Sequence, residues 1–329
     1  MSDIYLPVRL KRLRKNPAVR SMLCETHVRT EQLIAPLFIN EKLSSRLPIE
    51  SMPGHYQLAL QDLPAEIAEI SKLGIQAVLL FGIPANKDSH GGSSLLSDGI
   101  IQTALRLIKT LNPSLILIAD VCLCEYTDHG HCGVLAGDKI DNDATLKILA
   151  QQALSYADAG ADWIAPSSMT DGMVQAIRQK LDQNNHHDTA ILSYSAKYSS
   201  SFYAPFREAA QGAPGFGDRK DYQMDPGNSS EALRETALDI AEGADMVMVK
   251  PALHYLDIIL KIKQKFPEVP LCAYHVSGEY AMIKAAAEKG LINQNQAMLE
   301  ALTAIRRAGA DLIITYFAKE FAQLVAFDL

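Results

Sequence analysis

Apolar residues in this 329-residue chain fall in short, regularly spaced bursts. Eight strand-length runs recur: Leu33–Ile39, Ala77–Ile83, Leu115–Leu123, Trp163–Ser168, Ala190–Ala196, Met246–Pro251, Leu271–Ser277 and Leu312–Ala318. Most are flanked by stretches with helical character: Leu63–Leu73, Gly99–Thr110, Asp143–Ala159, Gly172–Asp182, Ser230–Glu242, Tyr255–Lys265, Glu279–Lys289 and Asn295–Arg307. Strands alternating with helices of about 10 to 15 residues mark βαβ units and a parallel sheet. Eight such units predict an α/β fold, the (β/α)8 or TIM barrel. Gly-Ala-Asp recurs before three of the strands, at Gly160, Gly243 and Gly309. Each glycine suits a helix C-cap, and each short loop then feeds a strand. A doubly wound open sheet is the competing architecture, but no G-x-G-x-x-G follows the first strand. No linker interrupts the pattern. One barrel domain is expected over residues 33–329, with residues 1–32 as an N-terminal arm outside it.

Barrels of this kind carry their chemistry at the C-terminal ends of the strands. Here the fifth run ends Ser193-Tyr194-Ser195-Ala196-Lys197 and the sixth Met248-Val249-Lys250-Pro251. Either lysine alone could snorkel or pair with a carboxylate. Two on neighbouring strands, facing one mouth, point instead to carbonyl chemistry. An apolar wall and a like charge each favour the neutral amine, the nucleophile that forms a Schiff base. After Lys197 comes a long segment rich in small and polar residues, from Phe206-Arg207-Glu208 through Gly212 to Lys220. It reads as an active-site lid whose Arg207, Arg219 and Lys220 would bind a carboxylate; a mobile basic surface loop is the plainer alternative.

The third run ends in Asp120-Val-Cys122-Leu-Cys124-Glu-Tyr-Thr-Asp-His129-Gly-His131-Cys132. Three thiols and two imidazoles this close suggest zinc. A structural zinc usually closes four ligands in two pairs. Three cysteines at one strand end leave a coordination position open, which points to catalysis.

Composition and charge narrow the field. Forty-eight per cent of the residues are hydrophobic and 21% charged, as in a globular enzyme. A net charge of −7 argues against a nucleic-acid partner. The basic stretch Arg9–Arg20 is a local exception, either a solvated arm or an anion- or partner-binding one. No apolar run approaches the roughly 18 residues of a membrane span, and no signal-peptide core is evident. A cytoplasmic protein with reduced cysteines and no membrane partner is expected.

Taken in order, several segments resemble the porphobilinogen synthase (5-aminolevulinate dehydratase) family. They are the Asp-x-Cys-x-Cys-x-x-Tyr-Thr-x-His-Gly-His-Cys segment, Ser-Tyr-Ser-Ala-Lys-Tyr-Ser-Ser-Ser-Phe-Tyr with Pro-Phe-Arg, Met-Val-Lys-Pro and Val-Ser-Gly-Glu-Tyr. The resemblance spans essentially the whole chain. It implies a hydro-lyase that condenses two molecules of 5-aminolevulinate into porphobilinogen and two waters, in tetrapyrrole (heme) biosynthesis. It implies that Lys250 forms the Schiff base with the first substrate, whose carboxylate is held by Ser277 and Tyr316. Lys197 would serve the second substrate, with Arg207, Arg219 and Gln223 on its carboxylate, and Asp120 and Ser167 lining the pocket. Cys122, Cys124 and Cys132 would hold catalytic zinc, with His129 and His131 outside the ligand set. Glu231 matches a carboxylate that binds allosteric magnesium in many bacterial members; an ordinary glutamate behind an N-capping serine is the alternative. The family implies a homo-octamer with arms wrapping neighbouring barrels. His275 departs from the glutamine expected there. Two other classes remain open: a class I aldolase with a structural metal site, and a metal sensor without turnover.

Overall fold

The computed structural model describes residues 6–327; residues 1–5 of the expected arm and 328–329 of the expected barrel domain lie outside the described residues. Eight parallel strands form one closed wall. They are β1 (Leu33–Asn40), β2 (Ala77–Ile83), β3 (Ile116–Val121), β4 (Trp163–Pro166), β5 (Ala190–Lys197), β6 (Met246–Lys250), β7 (Leu271–His275) and β8 (Leu312–Thr315). They stand in sequence order, and β8 pairs with β1 through Ile313 and Leu33, which closes the barrel. Every residue of β1 and of β2 is buried, so these strands are apolar without alternation, as expected when both faces are covered.

The helices of the outer ring are α1 (Leu63–Lys72), α2 (Ile100–Leu111), α3 (Asn142–Asp158), α4 (Met173–Gln183), α5 (Ser230–Glu242), α6 (Leu256–Lys265), α7 (Ser277–Glu288), α8 (Gln294–Ala308) and α9 (Ala318–Phe327). Helix α2 shows how they pack: Ile100, Ile101, Ala104, Leu105 and Ile108 make one buried stripe. Asp141 and Asn293 cap α3 and α8 by accepting from the amides of Ala144 and Gln296.

The Gly-Ala-Asp repeats do more than end helices. Gly243 and Gly309 take left-handed φ values of 107° and 119° at the C-caps of α5 and α8. The aspartate two residues on then reaches sideways to the preceding strand. Asp162 accepts from Leu117 N at 2.7 Å, Asp245 from Ile191 N at 2.8 Å and Asp311 from Leu271 N at 2.9 Å. Lys109 and Lys263 neutralise Asp162 and Asp311 at 2.7 and 2.8 Å. Strand ends left open at the bottom of the wall are thus stitched in pairs.

Several expected boundaries move. β3 stops at Val121, so Cys122 opens a loop, and β7 stops at His275, so Ser277 begins α7 rather than ending a strand. β8 stops at Thr315, and the chain turns into α9, a helix the pattern did not predict. Burial continues past each strand end, so an apolar run does not mark where backbone pairing stops. A two-residue strand, Leu47–Pro48, also pairs antiparallel with Tyr56–Leu58, which adds to the rim beside β1. The described part of the arm, a 3-10 turn at Leu10–Arg14 and a short helix at Pro17–Met22, buries no side chain.

Candidate active site

A break in strand register builds the centre of the site. β6 pairs with β5 through Val247–Ser193 and then through Val249–Ala196, so Tyr194 and Ser195 together oppose Met248. This β-bulge puts Lys250 opposite Lys197. In uninterrupted register it would face Ala196. The bulge also lets Tyr194 and Lys197, three residues apart, turn to one side, with the Lys197 amine 5.6 Å from the Tyr194 ring centre. Ser193 turns outward and donates to Asp239 of α5 at 2.7 Å.

Both lysines are buried. Lys250 Nζ sits among four aromatic rings: Tyr274 at 4.3 Å, Tyr194 and Phe206 at 5.0 Å, and Tyr203 at 5.2 Å. Burial, and next the charge of Lys197, lower its pKa to about 7, against a partial pull upward from Asp120. Its ammonium is therefore far easier to deprotonate than that of an exposed lysine. Lys197 Nζ donates to the backbone carbonyl of Ser167. Ser167 Oγ in turn donates to Asp120 Oδ2 at 2.9 Å, while Asp120 Oδ1 is buried without a partner. Burial, with Glu125 adding to it, pushes Asp120 up to about 7.

Cys122, Cys124 and Cys132 bring their sulfurs within 4.8 Å of one another, all buried. Three soft donors converging at this spacing suit a metal such as zinc. Hydrogen bonds from the Cys122 and Cys124 thiols hold Cys132 well below the ordinary thiol range. The histidines have other partners. His131 is shared between the Tyr222 hydroxyl at 3.2 Å and the Phe216 carbonyl at 3.1 Å, and His129 Nδ1 accepts from His131 N. Gly130 has a φ of +70°, and a Cβ there would run into the Ala213 carbonyl. The cysteine loop and the lid are therefore pressed together.

The lid, residues 198–224, lies across the mouth. Arg219 is buried and donates to the carbonyls of Gly130 and Gly212. The Nε atoms of Arg207 and Arg219 and both amide atoms of Gln223 are buried without partners. Ser277 Oγ accepts from Phe206 N at 3.0 Å and donates to Phe202 O at 3.3 Å, so it is engaged with the lid. Tyr316 bonds the Tyr274 hydroxyl at 3.1 Å, beside Lys250. Lys220 is exposed, lies 3.8 Å from Asp218 and lines the outer cleft beside Gln223 rather than the pocket that holds the two lysines.

Asp120, Cys124, Ser167, Lys197, Arg207, Arg219 and Lys250 line one pocket whose free volume is about 10 Å³, room for roughly one water. Ser277, Tyr316 and Gln223 stand outside that lining. Gln223 borders a cleft of about 1130 Å³ beside α5, where exposed Glu231 accepts from Asn228 Nδ2 at 3.0 Å. His275 is buried in the wall against Thr315 Oγ1 at 3.1 Å, with burial taking its pKa down to about 3. Sequence reasoning missed Tyr194, Tyr203, Phe206 and Tyr274 around Lys250, and Glu125 in the pocket. The aromatics beside both lysine motifs were a usable signal; Glu125 gave none.

A (β/α)8 barrel with two buried lysines on one rung, one of them poised near neutrality, beside three cysteines placed to bind a metal points to a class: a lyase working on carbonyl substrates. Residues 7–324 match the family model described as Delta-aminolevulinic acid dehydratase, and the chain belongs to that family. The dehydratase of Methanothermus sociabilis is 52% identical over 315 residues, 96% of this chain and 98% of that protein. The one from Staphylococcus aureus is 50% identical over 317 residues, 96% and 98% of the two chains. The Toxoplasma gondii enzyme, solved with the reaction product porphobilinogen, superposes with a TM-score of 0.96 at 47% identity, covering 99% of this chain and 94% of that one. The activity is that of a hydro-lyase of porphyrin biosynthesis, a porphobilinogen synthase. This removes the aldolase and sensor readings.

Proposed function

We propose that this chain condenses two molecules of 5-aminolevulinate with its two lysines in separate roles. Neutral Lys250 attacks the ketone of the first substrate. A carbon–nitrogen bond forms, the ketone oxygen leaves as water, and the imine becomes the electron sink for carbon–carbon bond formation. Ser277 and Tyr316 hold that substrate's carboxylate. Lys197 receives the second substrate, with Arg207, Arg219 and Gln223 on its carboxylate; their unpartnered buried donors support this role. Asp120 and Ser167 orient the second site and can hold a proton between the amines.

Cys122, Cys124 and Cys132 would hold zinc. Three protein ligands leave it a position from which to polarise an oxygen of the second substrate. Glu231 would hold magnesium as a stimulator. With so little free volume in the pocket, the lid must lift to admit substrate. Ser277 is released for its carboxylate role as Phe202 and Phe206 move. The described arm, with its exposed Leu10 and Leu13 and basic residues, fits self-association into a homo-octamer. No helix among the described residues is long and apolar enough to cross a membrane, which is compatible with a cytoplasmic enzyme.

The observation that carries the reading is the rung shared by Lys197 and Lys250. The test is incubation with 5-aminolevulinate and a colour assay for the pyrrole. Pyrrole should form, disappear with a zinc chelator and increase with magnesium; Glu231→Gln should keep basal turnover and lose the increase. No pyrrole from zinc-loaded protein would reject the reading.

A further inference from the structure

Among the described residues Tyr194 is the one ring that stands against both amines, 5.6 Å from Lys197 Nζ and 5.0 Å from Lys250 Nζ. It is fully buried; its hydroxyl has no close hydrogen-bond partner but lies near the Asp120 carboxyl. The bulge in β5 is what turns it inward beside Lys197. Two amines on one rung repel whenever both carry charge, and a protonated imine on either lysine is again a cation. The face of a phenol ring is electron-rich and attracts cations at this range. We propose that Tyr194 is a positioning residue whose ring face is a platform common to both lysines, holding the two nitrogens at one depth and offsetting the repulsion between them. Tyr203, Phe206 and Tyr274 serve Lys250 alone. The ring face is the working part of the platform; the hydroxyl, near Asp120, is removed first in the test.

This inference rests on the roles proposed above for the two lysines. The test replaces Tyr194 with phenylalanine and then with phenylalanines carrying one, two and three ring fluorines, which keep the shape while draining the ring face of negative potential. With Tyr194→Phe as the baseline, kcat should fall with each fluorine, to roughly tenfold at three. KM, metal content and thermal midpoint should hold across the series, which a merely space-filling residue could not explain. A flat kcat, or a Tyr194→Phe variant as slow as the trifluorinated one, overturns the proposal. Lys250→Ala separates the two failures. If it retains turnover, the lysine roles fall; if it is inactive while the fluorine series is flat, only the platform falls.

Discussion

The two ends of this barrel treat charge in opposite ways. At the bottom, Asp162, Asp245 and Asp311 each accept a strand amide, and Lys109 and Lys263 neutralise two of them. At the mouth, Lys250 is pressed toward neutrality, and Asp120 Oδ1, Arg207 Nε, Arg219 Nε and the Gln223 amide lie buried without partners. Unmade hydrogen bonds of that kind each cost on the order of 1–3 kcal/mol. The fold spends satisfied polar groups on stability at one end and keeps unsatisfied ones for substrate at the other.

Substitutions at the two ends should therefore have opposite signatures. The largest effect is at the mouth. Lys250→Met should lower turnover by at least about a thousandfold while raising stability at pH 7. The sign follows from its lowered pKa. The folded state disfavours the ammonium, so the cost is fully present below pH 7, fades as pH rises toward the unfolded lysine's value and is gone above it. Thermal melts from pH 6 to 10 should show the variant's advantage shrinking; a constant or negative difference would break the comparison. Next, Cys132→Ser should lose bound zinc, measured by elemental analysis, and turnover by roughly a hundredfold or more. Full activity in protein shown to be metal-free would refute the zinc role. The smallest catalytic effect is expected at the bottom. Asp162→Ala should cost about 1–3 kcal/mol in denaturant melts and leave kcat within about twofold. A large kcat loss there would mean that the two ends are not separable.

Much of this division could be read from the chain alone. The eight strand–helix beats followed from apolar spacing, and the glycines of the Gly-Ala-Asp repeats from capping chemistry. The lateral bonds of their aspartates could not be read, because a carboxylate's partner on another strand is a tertiary fact. The lysine pair was visible, since each lysine ends a run of apolar residues. The bulge that aligns them was not: Ser193 to Lys197 looks like any eight-residue strand's end, and only pairing with β6 shows that Tyr194 and Ser195 share one opposite residue. The cysteine cluster after the third strand was legible from spacing, whereas the engagement of Ser277 with the lid depends on a loop whose path no local pattern sets. That Lys220 lines the outer cleft and not the lysine pocket also depends on the path of that loop.

The central claim is that Lys250 is the amine that captures the first substrate's ketone. Borohydride added with 5-aminolevulinate, followed by peptide mass analysis, tests it directly. The account predicts substrate mass fixed on Lys250, with the trapping rate rising as pH passes through about 7. Substrate fixed only on Lys197, with Lys250 unmodified, would contradict it.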